Sequence, residues 1–272
     1  MSEQSQIAWT RSTFNPWIGC TKVSPGCTHC YAAVDTFARR SRANGVELWG
    51  PQSARHITSE AYWLKPHVWN RKAAATGEFW PVFCGSLCDV FEDRDDLIAP
   101  RARLCKLIEA TPALTWLLLT KRPENMTRLA ARWSSGWPSN VWAMVTCEDQ
   151  AAVNRRASDL LRVPAKIHAL SCEPLLGALD LRPWLGACNC TVEAEEGAGQ
   201  HASLCPATRP RLDLVIVGGE SGPKARPCDV AWIRSIVEQC REAGVPAFVK
   251  QLGARPVLSP STATGPAAIE AQ

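Results

Sequence analysis

Three cysteines form the densest group of reactive side chains in the sequence. They occur as Cys20-Thr-Lys-Val-Ser-Pro-Gly-Cys27-Thr-His-Cys30, a C-x6-C-x2-C pattern. Gly19 precedes the segment and Gly26 lies inside it. Because glycine adopts backbone angles that other residues resist, a short loop here can turn its three thiols toward one centre. Three thiolates on one loop are the donor set of a metal centre with one coordination position left open.

The open position separates two interpretations of this loop. In a [4Fe–4S] cluster, three cysteines hold three irons and the fourth iron is free to bind a substrate or cofactor. A structural zinc site takes four protein ligands, and His29 or a distant cysteine could supply the fourth. Three buried thiols without a metal are a further alternative in a chain with 13 cysteines. The spacing alone does not distinguish an iron–sulfur cluster from a zinc site. The position of the loop after the first predicted strand favours the iron–sulfur cluster.

A second group of candidate metal ligands lies later in the chain, in a polar segment. Its members are Cys188, Cys190, His201 and Cys205, spaced as Cys-x-Cys followed by His-x3-Cys. Soft thiolates with an imidazole suit tetrahedral zinc. The spacing matches no standard zinc motif, so a polar insertion without a metal is the alternative.

The composition favours metal-binding or catalytic thiols over disulfides. The 13 cysteines of this 272-residue chain are an odd number that cannot all pair within it, and the net charge is +4. The N-terminal MSEQSQIAWTRS lacks the build of a signal peptide. No apolar run approaches the ~18 residues that span a bilayer. We therefore expect a cytoplasmic protein without a membrane partner, in a reducing compartment.

Short apolar runs that alternate with helical periods must position these residues. Such alternation predicts β/α units and a buried parallel sheet. The predicted strands are 17–20, 81–86, 115–123, 141–149, 165–174, 212–220 and 247–253, and the predicted helices are 101–110, 124–133, 150–161 and 229–244. The expected fold class is α/β, a full or partial (β/α) barrel of six to eight mostly parallel strands, similar to a TIM barrel. An open doubly wound sheet is the alternative.

The barrel is expected to form a single domain over residues 1–253. A long excursion near 42–79 and a polar, Gly- and Cys-bearing insertion near 186–211 interrupt its β/α rhythm. The tail 254–272 is rich in Pro, Ser, Thr and Ala, and we expect it to be flexible.

Basic and aromatic residues alternate between residues 39 and 72. The aromatic members are Trp49, Tyr62, Trp63 and Trp69. Basic residues beside stacking rings are what binding of a single-stranded or flipped base needs. An amphipathic helix with a solvated basic face is the alternative interpretation.

Polar residues and cysteines cluster where the predicted strands end. The carboxyl ends of parallel strands meet at one rim, so we expect one pocket with many contributors. In chain order the contributors are Cys84, Gly85, Ser86, Cys88, Lys121, Arg122, Cys147, Glu148, Cys172, Glu173, Gly218, Gly219, Glu220 and Lys250. The four cysteines of this set are small buried hydrophobes, or alternatively a second metal centre or a radical-quenching thiol.

The cysteine loop resembles a known family. C-x6-C-x2-C is similar to the radical S-adenosylmethionine (SAM) cluster motif, usually C-x3-C-x2-C with an aromatic residue before the last cysteine, where His29 stands here. The longer string WTRSTFNPWIGCTKVSPGCTHCYA more closely resembles the phage-associated three-cysteine-motif proteins, which are radical SAM-like. The similarity continues in FCGSLCDVF, LLLTKRPENM, SCEPLLG and IVGGESGPKARP, and spans roughly residues 7–253.

The resemblance implies an enzyme with a partial barrel and a [4Fe–4S] cluster on Cys20, Cys27 and Cys30. SAM would chelate the open iron, and an electron from a cellular one-electron reductant would cleave SAM to a 5′-deoxyadenosyl radical that takes hydrogen from the substrate. The phage association makes a nucleotide or nucleic acid a candidate substrate, and a protein partner is a further candidate. The resemblance identifies no catalytic residue.

Residues that would contact SAM follow from the same resemblance. The tripeptide Gly218-Gly219-Glu220 resembles the motif that binds the SAM amine, but it follows the sixth predicted strand instead of the second, which ends at Gly85 and Ser86. The alternative is that the two glycines only form a tight turn after the strand. Glu148 and Glu173 could bind ribose hydroxyls or the ammonium group.

Two departures keep other functions open. The loop is three residues longer than the usual motif, and the Gly-Gly-Glu tripeptide is displaced along the chain. The alternatives are a zinc-stabilised barrel that binds nucleic acid and an iron–sulfur electron-transfer module without SAM chemistry.

Overall fold

A parallel sheet of seven strands forms the centre of the computed structural model, which describes residues 4–130, 133, 136–186 and 211–259. The strands in spatial order are β1 (Ser12–Phe14), β4 (Pro81–Cys84), β5 (Thr115–Thr120), β6 (Val141–Thr146), β7 (His168–Cys172), β8 (Leu214–Gly218) and β10 (Ala247–Gln251). The sheet curls into a half-barrel. This confirms the partial (β/α) barrel among the fold classes that the sequence predicts.

Strands β4 to β8 and β10 confirm the apolar runs predicted as strands. Strand β6 illustrates the reason, because five of its six residues are buried. A parallel strand covered on both faces must be apolar nearly throughout, so its sequence is a continuous apolar run.

The first predicted strand, 17–20, is a strand only at its first two residues, and it does not join the parallel sheet. Trp17–Ile18 (β2) is instead paired antiparallel with His56–Ile57 (β3), outside the large sheet. The first strand of the sheet is β1, which pairs with β4 from Ser12 opposite Val82. Pro16 separates β1 from β2, and its ring removes the N–H that a continuing ladder would need.

Helices flank the sheet, and all but the first contribute to the main hydrophobic cluster. They are α1 (Thr36–Ala43), α2 (Glu60–Trp63), α3 (Lys65–Thr76), α4 (Ile98–Glu109), α5 (Met126–Ala130), α6 (Gln150–Leu161) and α7 (Val230–Glu242). Asp149 caps α6 by accepting a hydrogen bond from the Ala152 N–H. Alternate strand residues such as Trp116, Val145 and Val217 pack with the helices in the main hydrophobic cluster.

A smaller cluster fills the concave face of the half-barrel. Leu117, Met144, Ala169 and Ile216 are its buried members. The N-terminal segment lies against this face through Trp9, whose ring centroid is 4.7 Å from that of Phe83. The segment thereby covers apolar surface that a half-closed sheet would expose.

The excursion near 42–79 carries β3, α2 and α3 and buries three of the four aromatic side chains that the sequence analysis names. Tyr62, Trp63 and Trp69 are 7%, 2% and 2% exposed and belong to the main cluster. Those three rings pack the core and are not available to stack on a base, whereas Trp49 is only partly buried.

The remaining sequence predictions concern the chain ends and the membrane. Residues 187–210 and 260–272 lie outside the described residues, whereas Pro256–Val257 (β11) pairs with Cys228–Asp229 (β9) just beyond Gly253. In the part of the chain that the structure describes, no helix is both long and apolar enough to cross a membrane.

Candidate functional site

A cavity of about 460 Å³ opens at the carboxyl ends of the sheet strands. All three cysteines of the C-x6-C-x2-C loop line it, together with residues that follow β4, β5, β7 and β8 and the last two residues of β10. Those residues include Gly85, Ser86, Cys88, Asp89, Lys121, Arg122, Glu173, Gly219, Glu220, Lys250 and Gln251. The cysteine loop and the polar strand ends therefore share one pocket.

The backbone of the cysteine loop depends on two glycines. Gly19 has a φ of +113°, and a Cβ there would lie 2.3 Å from the Leu48 carbonyl oxygen. A Cβ on Gly26 would lie 3.0 Å from the Glu148 side chain. Pro25–Cys27 forms a short 3-10 turn closed by the Cys27 N–H donating to the Ser24 carbonyl. Side chains at either glycine would push the loop off the elements beneath it.

Arg122 binds the first cysteine of the loop. Its Nη1 lies 3.7 Å from Cys20 Sγ and 2.7 Å from Asp89 Oδ2, and its Nη2 donates to the Thr21 carbonyl at 2.7 Å. Burial, and then the Asp89 carboxylate, raise the pKa of the Cys20 thiol to about 12, while the guanidinium of Arg122 opposes that rise.

A second arginine supports the same stretch of backbone. Arg55 pairs with Glu92 at 2.7 Å and donates to the Thr21 hydroxyl at 2.8 Å. Arg122 Nη2 lies 3.8 Å from Glu92 Oε1, so the two ion pairs are adjacent. All four side chains are at most 9% exposed.

Glu220 holds the middle of the loop. Its carboxylate accepts from Arg226 at 2.6 and 2.9 Å and from His29 Nδ1 at 3.2 Å. Arg226 also donates to the Pro25 carbonyl at 2.9 Å. Burial alone would raise the pKa of Glu220, but the hydrogen bonds from Arg226 and then His29 lower it to about 2.

Glu148 supports the loop from below and does not line the cavity. Its side chain is fully buried and pairs with Arg156 at 2.8 Å, and the Gly26 N–H donates to it at 3.4 Å. Burial would raise the pKa of Glu148, but the Ser24 hydroxyl and then the Arg156 guanidinium hold it below its usual range.

The predicted SAM contacts Glu173, Gly218 and Gly219 lie at the ends of β7 and β8. Glu173 accepts from Lys250 at 2.8 Å and from Gln251 at 3.0 Å. Gly218 lies beneath the cavity lining. A Cβ on Gly219 would lie 2.4 Å from the Leu252 carbonyl oxygen, so the diglycine permits β8 and the end of β10 to approach closely.

Gly85 and Ser86 form the side of the cavity at the end of β4. Gly85 has a φ of +98° and donates its N–H to the Phe14 carbonyl. The Ser86 hydroxyl accepts from Asn15 at 2.9 Å, and its carbonyl accepts from the Tyr31 hydroxyl at 2.9 Å. The Tyr31 hydroxyl therefore links the end of the cysteine loop to the end of β4.

The chain matches one protein family over residues 4–264: DUF5131, described as a protein of unknown function. The match covers nearly the whole chain. The chain belongs to the DUF5131 family. No curated protein and no solved structure gives a significant match.

In this DUF5131 chain, the predicted cysteines at strand ends divide into two groups. Cys84, Cys147 and Cys172 are fully buried, in keeping with small core side chains. Burial raises the pKa of Cys147 to about 12. Cys88 lines the cavity. The candidate ligands Cys188, Cys190, His201 and Cys205 lie outside the described residues.

The sequence alone did not identify the charged partners that hold the loop. Asp89 and Arg226 stand inside the strings FCGSLCDVF and IVGGESGPKARP, and Arg156 lies in the predicted helix 150–161, but none of these patterns assigned a role to them. Arg226 reaches Pro25 across 201 residues of sequence. The available signals are the position of Asp89, three residues after the predicted strand 81–86, and the arginine that follows Gly-Gly-Glu by six positions. Neither indicates which carboxylate or carbonyl the charged group meets.

The donor set of the loop is three free thiols that line one cavity. Among the described residues, no group of three or more His, Cys, Asp or Glu side chains is placed to hold one metal ion. A cubane spreads three thiolates over three iron atoms, so its cysteines surround a volume instead of converging on a point. Three free thiols around one cavity, with a guanidinium beside one sulfur, are compatible with that requirement.

Proposed function

We propose that this chain is a radical SAM-type iron–sulfur enzyme. Cys20, Cys27 and Cys30 would hold a [4Fe–4S] cluster with one iron open to SAM. The observation that carries the proposal is that all three cysteines of one loop line a single cavity at the carboxyl ends of parallel strands. In α/β barrels this rim is where ligands and reacting groups meet.

The chain's own residues would bind, orient and shield the reactants. When bound, the cluster and SAM supply a 5′-deoxyadenosyl radical for hydrogen abstraction. Trp9, Phe83 and Leu119 line the cavity with apolar surface that would exclude water from the reactants. Glu173 and Glu220 present carboxylates to the cationic groups of SAM, each held in place by a basic partner.

Lys121 is the lining cation best suited to an anionic group. Within the described part of the chain no carboxylate lies within salt-bridge distance of its ammonium, whereas Arg122 and Lys250 are paired with Asp89 and Glu173. The amino-acid carboxylate of SAM, or a phosphate of a nucleotide or nucleic acid substrate, fits this position.

The proposal includes a cytoplasmic setting with a one-electron reductant and, as a further candidate, a protein partner. All ten cysteines among the described residues are free thiols, which suits a reducing compartment. Reduction of the cluster requires an electron donor that the chain itself does not provide.

Anaerobic reconstitution tests the proposal. The protein is loaded with iron and sulfide, reduced with dithionite in the presence of SAM, and assayed for 5′-deoxyadenosine by liquid chromatography and mass spectrometry. We expect release of 5′-deoxyadenosine by the native chain and its loss in Cys27→Ala. Cys105→Ala, which removes a buried thiol on α4 away from the cavity, is the matched control and should retain the reaction.

The outcomes separate the three functions that the sequence leaves open. Bound zinc with no cluster on reconstitution would contradict the proposal and support a zinc-stabilised binding protein. A cluster that is reduced but releases no 5′-deoxyadenosine, alone or with added nucleotides and single-stranded DNA, would indicate an electron-transfer module.

A further inference from the structure

A row of four buried charges lies beside the first cysteine of the loop. Arg55 pairs with Glu92, and Arg122 pairs with Asp89, each at 2.7 Å. Asp89 is held in turn by the Thr120 hydroxyl at 2.7 Å. Buried ion pairs of this kind are costly to assemble and only weakly stabilising on balance. Their position against a metal-ligand loop therefore invites a functional explanation.

The three cysteines do not share this environment. Arg122 places Nη1 3.7 Å from Cys20 Sγ. The corresponding neighbour of Cys27 Sγ is the neutral Ser24 hydroxyl, at 4.0 Å. Among the described side chains, only Arg122 brings a cation within hydrogen-bond distance of a loop sulfur.

We propose that Arg122 is a positioning residue that sets the reduction potential of the cluster through Cys20, with Asp89 as its opposing charge. This inference rests on the proposed function. An N–H donor to a ligating sulfur withdraws electron density and stabilises the reduced, more negative cluster, which raises its potential. A nearby carboxylate acts in the opposite direction.

The pair therefore predicts two shifts of opposite sign. Arg122→Gln removes a cation and leaves the Asp89 carboxylate unneutralised near the cluster, so both effects make the potential more negative. Asp89→Asn removes the opposing charge and keeps a group that can accept from Thr120, so the potential becomes more positive. A role confined to holding the Thr21 backbone would not produce shifts of opposite sign.

The experiment compares reconstituted native protein with Arg122→Gln, Arg122→Lys and Asp89→Asn. Each is first assayed for iron and sulfide, and the potential is then measured by titration with dithionite, which supplies the one electron that takes the cluster from 2+ to 1+, followed by electron paramagnetic resonance. Arg122→Lys keeps the charge, and its reduction potential is expected to lie between those of the native protein and Arg122→Gln.

Arg128→Gln is the control, because it breaks an exposed arginine–aspartate pair with Asp93 and should leave the potential unchanged. Should Arg122→Gln fail to fold, Asp89→Asn and Arg122→Lys still test the sign. Equal potentials, or shifts of the same sign for both charge changes, would overturn this inference and leave the proposed function standing. Failure of the native chain to hold a cluster would overturn both.

Discussion

The Glu220 carboxylate accepts four hydrogen bonds, from the Arg226 side chain and backbone N–H and from His29. Its side chain is 6% exposed, so the ionised form exists there only because these donors replace water. The same contacts lower its pKa from 4.5 to about 2. Glu220 therefore couples the protonation state of one carboxylate to the position of the cysteine loop.

Glu220→Gln should be less stable than the native protein at neutral pH, and the difference in unfolding free energy should be smaller in acid. A depressed folded-state pKa contributes stability that is complete above the unfolded value near 4.5 and is lost as the pH falls toward about 2. The difference in unfolding free energy between native protein and variant should therefore shrink from pH 7 to pH 3, as measured by urea unfolding. A difference that stays constant over this range would contradict the assigned role.

At the scale of elements, the cysteine loop is clamped between strand ends and α6. The Arg156–Glu148 pair beneath Gly26 is one of these clamps, and Glu148 is the most buried carboxylate that contacts the loop. Breaking a buried ion pair from one side leaves an uncompensated charge and costs about 3–5 kcal/mol. The loop position thus depends on a helix that contributes no residue to the cavity lining.

Arg156→Met should therefore release the loop as well as destabilise the protein. Lys22 is exposed within the loop and provides a tryptic site, so faster cleavage after Lys22 is the expected result. The double variant Arg156→Met/Glu148→Gln also removes the unpaired Glu148 charge and should restore part of the resistance to trypsin. Unchanged cleavage in Arg156→Met would show that the other contacts suffice to hold the loop.

The elements also show why sequence reasoning found six strands of the sheet and missed the first. Strands β4 to β8 and β10 occur as apolar runs, whereas β1 contains Ser12 and Thr13. The Ser12 side chain tolerates burial because of a distant partner, since its hydroxyl accepts from Trp80. The Tyr62 hydroxyl donates to the backbone carbonyl of Thr13 from an equally distant position. The loop cysteines could be predicted from local spacing, but Arg226 and Asp89 could not, since their partners are set by the tertiary fold.

At the scale of the whole molecule, the half-barrel leaves apolar concave surface for the N-terminal segment to cover. Trp9 is the residue of that segment that packs on Phe83 and lines the cavity. Trp9→Ala should increase the binding of a hydrophobic dye to the native protein and lower the unfolding free energy. Because Trp9 is only half-buried, the loss should fall below the about 3–5 kcal/mol of a fully buried tryptophan. Unchanged dye binding and stability would contradict this covering role.

The unclosed sheet has one more consequence, for local opening. Strand β6 has a strand on each side, whereas β10 ends the sheet and carries Val249 at 43% exposure. Amides of an edge strand exchange with solvent through small openings that need not unfold the molecule. Lys250 and Gln251 of this strand hold Glu173 in the cavity wall, so any ligand that engages Glu173 should slow deuterium uptake in β10. Deuterium uptake in that strand would then report binding before the substrate is known.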